Sequence, residues 1–162
     1  MHYYNDPVCQ ALEKVVTELS IPSDRFHPLR PHSGWQEIED KIYDRFVGIS
    51  HWKQRPGWLW EHFKLDSYSV QFSTWPLDLL PRLVDPFEPV WFFVNGRNWK
   101  FWFYEGYIET ITKVIAESVG IDEFYICSKK YDWLLCFNHH DFLIATGDTM
   151  PEKLYLLTMD SR

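Results

Sequence analysis

Apolar residues recur first at helical spacing and then at strand spacing along this chain. Val8, Leu12, Val15, Val16 and Leu19 form a helical stripe, with Asp6 placed to cap it and Pro7 suited to the first turn. Residues 22–32 carry three prolines and few apolar positions, which predicts a surface loop. Ser33-Gly34-Trp35-Gln36 has a capping-box pattern and opens a second helix. Its stripe is Trp35, Ile38, Ile42 and Phe46, with Glu37, Glu39, Asp40 and Lys41 expected to face water. Pro56-Gly57 marks a turn, and Trp58 to Lys64 reads as a short helical turn or an edge strand. Ser67 to Phe72 alternates, as a half-buried strand does. Leu77 to Val84 reads as a short helix or turn interrupted by Pro81.

The second half is β-patterned. Val90 to Val94 is a strand, Asn95-Gly96 a tight-turn pair whose glycine accepts positive φ, and Trp99 to Tyr104 the returning strand, broken at Gly106. Tyr107 to Val119 is a helix with Ile108, Ile111, Ile115 and Val119 on one face and Gly120 at its C-terminal cap. Glu123 to Ser128, Tyr131 to Phe137 and Phe142 to Thr146 follow as a three-stranded meander, with Leu154 to Thr158 as a further edge strand. WLLCF and FLIAT are apolar at both parities, so those strands should be covered on both sides. The predicted fold is α+β in one domain, 1–162. It is an antiparallel sheet of about five or six strands, with N-terminal helices, one inserted helix at 107–119, and helices packed on one face.

Composition changes this picture in three respects. Aromatic residues make up 19% of the chain, including nine Trp, enough for an aromatic core and for a recognition surface as well. The net charge is −7, and residues 105–162 hold ten acids against five bases. That balance argues against nucleic acid as a partner and suits a basic protein. Cys9, Cys127 and Cys136 show no CxxC spacing. The N-terminus lacks a basic and an apolar region, and no run approaches a membrane span. The expectation is a disulfide-free cytoplasmic protein away from membranes. If Cys127 pairs with Asp132 across the Lys129-Lys130 turn, Cys136 faces Glu123 and no bridge between the two cysteines forms.

Asn138-His139-His140-Asp141 is the one concentration of chemistry-bearing residues. Neighbouring residues of a strand point to opposite faces, so His139 and His140 converge only in a turn, and a zinc site would still need further ligands. His2, His27, His32, His51 and His62 supply no ligand spacing. The flanks are β-patterned, unlike the helices that carry His-Asp in HD-type phosphohydrolases, and no ligand-bearing helix follows as in HNH nucleases. A polar hairpin tip is the plainer reading. Asp122-Glu123 and Glu39-Asp40 read as solvated charges, and Asn95-Gly96 lacks phosphate-loop spacing.

The stretch from Tyr125 and Ile126 through Asp141 carries Ser128, Lys129, Lys130, Tyr131, Trp133 and Leu134 ahead of the Asn-His-His-Asp turn. This pattern, SKKYxWLxxxNHHD, resembles that of a family of small uncharacterised bacterial proteins. The resemblance covers about the last 60 residues. Members of that family look like the immunity proteins encoded beside bacterial toxins. The resemblance implies a non-enzymatic protein-binding module without cofactor or catalytic residues. Asn138, His139, His140, Asp141 and Trp133 would lie in the binding region, and Glu109 and Glu117 would steer a basic partner. The alternatives are a small metal-binding protein or hydrolase using His139, His140 and Asp141, and a subunit whose aromatic surface forms a homodimer.

Overall fold

The first helix begins where the pattern places it. In the computed structural model, which describes residues 5–29, 34–48 and 58–159, α1 spans Pro7–Glu18 and the Asp6 carboxylate accepts a hydrogen bond from the Val8 N–H. Val8, Cys9, Leu12 and Val15 are buried, while Leu19 lies past the last turn and is exposed. The second helix, α2 (Trp35–Phe46), buries Ile38, Ile42 and Phe46 as expected, but Glu39 is buried with them. The Ser33 cap and the Pro56-Gly57 turn lie outside the described residues.

The segment read as a loop contributes a short strand, β1 (Phe26–Pro28). The others are β2 (Ser67–Gln71), β3 (Pro89–Asn95), β4 (Phe101–Tyr107), β5 (Phe124–Ser128), β6 (Leu134–Phe137) and β7 (Phe142–Thr146). Among the described residues they form one antiparallel sheet of seven strands, in the order β1-β4-β3-β5-β6-β7-β2. That exceeds the five or six strands expected, because β1 is only three residues long and lies within the proline-rich stretch 22–32. Both sheet edges come from the N-terminal half. Gly106 does not end β4 but sits within it. A Cβ there would come within 2.8 Å of the Phe26 ring, so the glycine admits β1.

Helices cover both faces, not one. α1, the four-residue α3 (Leu80–Leu83), α4 (Ile108–Glu117) and α5 (Met150–Met159) pack on Phe92, Phe124, Ile126, Leu135, Phe137, Leu143 and Ala145. α2 and a 3₁₀ turn at Leu59–His62 cover the alternate positions Phe93, Phe103, Tyr125, Cys127, Leu134, Cys136 and Ile144. Strand periodicity sends neighbours to opposite faces. The edge strand β2 exposes Ser67, Ser69 and Gln71, whereas over the central strands both faces are covered. This is why β5 and β6 are buried at every position.

Four further expectations are corrected. Residues 154–158 are helical, within α5, where Met150, Leu154 and Thr158 bury at i, i+4, i+8. The inserted helix stops at Glu117, leaving Val119 84% exposed and Gly120, at positive φ, beyond the cap residue Ser118. The β5–β6 register places Cys127 opposite Leu134 and Cys136 opposite Tyr125, two residues from the expected pairing. The shift keeps each residue's face because the side-chain period is two. All three cysteines are free. Finally, Asn95 pairs with Phe101 and Gly96 is extended, so the β3–β4 connection is a longer loop whose positive-φ residues are Asn98 and Trp99.

Candidate functional site

The Asn138–Asp141 segment is a turn closed by its own first residue. Asn138 is 1% exposed, and its side-chain oxygen accepts hydrogen bonds from the His140 and Phe142 amides. Its backbone carbonyl takes the Asp141 N–H and the Trp75 indole N–H. Asp141 has φ 63°, the left-handed conformation that Asp tolerates. Asn138 is therefore the local reason the hairpin turns, and the two histidines are what the turn displays.

His139 reaches sideways along the end of the sheet. Its Nδ1 lies 3.3 Å from Oε1 of Glu123, and its ring packs 4.2 Å from that of Trp58 and 4.0 Å from that of His140. Glu123, expected to be a solvated charge, is 3% exposed. It shares a sheet face with Tyr125 and Cys127, one residue ahead of β5. Besides His139, its carboxylate meets the Trp60 indole N–H at 2.9 Å, the Asn95 amide at 3.1 Å and the Tyr125 hydroxyl at 3.0 Å. Indole and side-chain amide N–H groups only donate, and one addresses each carboxylate oxygen. This is the partner set of an acceptor. Burial pushes the Glu123 carboxyl above its ordinary value, against the opposing pull of the His139, Tyr125 and Trp60 hydrogen bonds. Burial, reinforced by Cys136 and Glu123, holds Tyr125 well above the usual tyrosine range, so it stays a neutral O–H donor.

A second carboxylate fixes the neighbouring loop. Asp6, which caps α1, also accepts from the Arg97 N–H at 2.8 Å and the Trp102 indole at 2.9 Å. Gly96 leaves the room this needs, since a Cβ there would collide with Asp6 and Trp102. The loop so held carries Asn98 (φ 58°) and Trp99 (φ 61°). Consecutive left-handed residues, one of them bulky, cost on the order of 1–3 kcal/mol each. Trp99 is 47% exposed and meets Trp58 edge to face, with ring centroids 4.8 Å apart at 84°. Beside this pair opens a cleft of about 260 Å³, bordered by Asn95, Asn98, Asp122 and Glu123.

The other residues expected at the site are dispersed. Trp133 precedes β6 while Asn138 follows it, and it packs, 8% exposed, in the core on the sheet face covered by α1, α3, α4 and α5. Five residues of strand separate the two by roughly 16 Å. Glu109 lies in the first turn of α4, paired with Lys113, and Glu117 is exposed in the last. Eight residues of helix put about 12 Å between them. Glu117 is the nearer of the two along the chain to Gly120 and Asp122, which border the cleft. Among the described residues no group of three or more His, Cys, Asp or Glu side chains is placed to hold a metal ion, and no helix is long and apolar enough to cross a membrane. The cysteines are buried, and burial pushes the Cys9 thiol up to about 12 and raises Cys127 and Cys136 as well.

Sequence reasoning missed Glu123, Asn95, Trp58, Trp60 and Trp99 as one constellation. A signal existed for Glu123, because its parity continues the apolar set Tyr125, Cys127. No periodicity could have joined it to tryptophans 63 and 65 positions earlier in the chain. Comparison with curated proteins and comparison with solved structures each found no match. A family model described as a family of unknown function (DUF6756) does match, over residues 5–158, which takes in the turn, the buried carboxylate and the three tryptophans, and the chain belongs to that family.

Proposed function

We propose that this chain is a non-enzymatic protein-binding module, in character an immunity protein that neutralises a basic bacterial toxin. Its binding face would be the end of the sheet bearing the Asn138–Asp141 turn. One observation carries the reading: Trp58, Trp60, Trp99, His139 and His140 are gathered at one partly exposed end of the sheet, and the buried Glu123 and Asp6 hold their supports in place. Rigid aromatic groups of this kind are the anchors that dominate protein interfaces, because they bury large areas at small entropic cost. The acidic excess of residues 105–162, with Asp122 exposed beside the cleft, Asp141 exposed in the turn and Glu117 exposed at the end of α4, supplies attraction for a basic surface.

The test is binding to the product of the adjacent gene, followed by stopped flow at low and high salt. Glu109→Gln with Glu117→Gln should lower the on-rate, and Trp99→Ala should chiefly raise the off-rate. Binding indifferent to salt and to all three changes sinks the proposal.

A second reading rests on the Glu123–His139 pair. A carboxylate at Nδ1 orients an imidazole and leaves Nε2 to act as a base or ligand, the arrangement of hydrolases and of histidine metal sites. One equivalent of metal per purified chain, lost in His139→Ala, would favour this reading over the first.

A further inference from the structure

We propose that the cleft beside Trp58 and Trp99 is a seat for one guanidinium group, that of an arginine side chain presented by the bound protein. Naming a protein as the source rests on the binding-module reading. The chemistry of the seat does not.

Size is the first argument. About 260 Å³ falls just below the range of roughly 300–1,000 Å³ usual for small-molecule pockets, but it accommodates the end of a single long side chain. The walls are the second. Trp58 and Trp99 meet at 84° and form an aromatic corner, and the electron-rich ring face attracts a cation laid over it. The charges are the third. Among the described lining residues there is no lysine or arginine, while Asp122 is exposed at the rim and Glu123 lies buried at the floor.

These carboxylates play different parts. Glu123 already receives four contacts, so it contributes field rather than a direct bond. Asp122 is the one placed to pair with an arriving cation. Asn95 adds an acceptor. Its amide nitrogen is committed to Glu123 Oε2, which turns its carbonyl oxygen away from the carboxylate. Guanidinium fits this set better than an alkylammonium does. It is planar, weakly hydrated and able to stack on indole while its N–H groups reach two acceptors, whereas an ammonium holds its water. The strained Trp99 backbone is consistent with a side chain fixed in advance for a partner.

The test titrates the full chain with arginine blocked at both termini and follows the tryptophan indole N–H signals by NMR. The Trp58 and Trp99 signals are assigned from their loss in Trp58→Phe and Trp99→Phe. Blocked lysine and blocked citrulline, the neutral isostere, serve as parallel probes. The expected result is saturable movement of those two signals with arginine, with a dissociation constant on the order of 1 mM, as ordinary per-atom ligand efficiencies imply. Trp99→Ala should weaken binding about fivefold to thirtyfold, the span of exposed to desolvated cation–π contacts. Asp122→Asn should weaken it too and remove most of its salt dependence. Equal response to citrulline or lysine, no response, or unchanged binding in Trp99→Ala overturns the assignment. If the probe fails while a protein partner binds and loses affinity in His140→Ala, the cleft assignment falls and the binding-module reading stands. If the probe binds but no basic protein does, the reverse holds.

Discussion

Replacing Glu123 tests the centre of the site. Glu123→Ala removes the acceptor for four groups. The Tyr125 hydroxyl is fully buried and would keep only the weak sulfur acceptor of Cys136, so loss of its carboxylate partner costs roughly 1–3 kcal/mol. Loss of one buried methylene adds about 0.8 kcal/mol. The Trp60 and Asn95 donors are half-buried and can take water. Glu123→Ala should therefore destabilise by about 2–4 kcal/mol, and Glu123→Gln, which keeps one acceptor and the methylene, by about 1–2 kcal/mol. Urea denaturation with unchanged m-value measures both. Burial raises the folded-state pKa, so the native protein holds more protons than the unfolded chain from about the ordinary value of 4.5 upward. Stability from the raised carboxyl is thus full below that value and declines as pH rises through the folded pKa. The stability gap between the wild type and Glu123→Gln should narrow in that direction. A change within about 0.5 kcal/mol for Glu123→Ala, typical of a surface charge, or a gap widening with pH, would refute the reasoning.

Other outcomes follow from the same packing. Leu135→Ala, in a strand buried on both faces, should cost about 2–5 kcal/mol by chemical denaturation. Less than about 1 kcal/mol would mean a loosely covered sheet. Gly147→Ala should cost about 1–3 kcal/mol, because Gly147 has φ 86° and a Cβ would lie 2.5 Å from the Asp132 carbonyl. An unchanged thermal midpoint would contradict that geometry. Thiol titration should count three reactive cysteines after denaturation and almost none before it, since all are buried with raised pKa values; rapid reaction of the native protein would show otherwise.

Local signals in the sequence determined whatever depended on near neighbours. The Asp6–Pro7 start of α1, the alternation of β2, the apolar runs of β3 and β5–β7 and the turn at Asn138 are each dictated within a few residues by capping, periodicity or turn chemistry. Where two elements competed for the same letters, the contacts decided. Residues 26–28 became a strand only because Gly106 admits Phe26, and residues 154–158 became helix because Met150, Leu154 and Thr158 find one buried face. The site belongs wholly to this second kind. Glu123 is ionisable and the sequence alone gives it to solvent. It is buried because strands β3 and β6, the 3₁₀ turn and its own strand bring Asn95, His139, Trp60 and Tyr125 around it, donors 2 to 63 residues distant in sequence. Hydrogen bonds act over about 3 Å, so only the tertiary fold, not order along the chain, could assemble them.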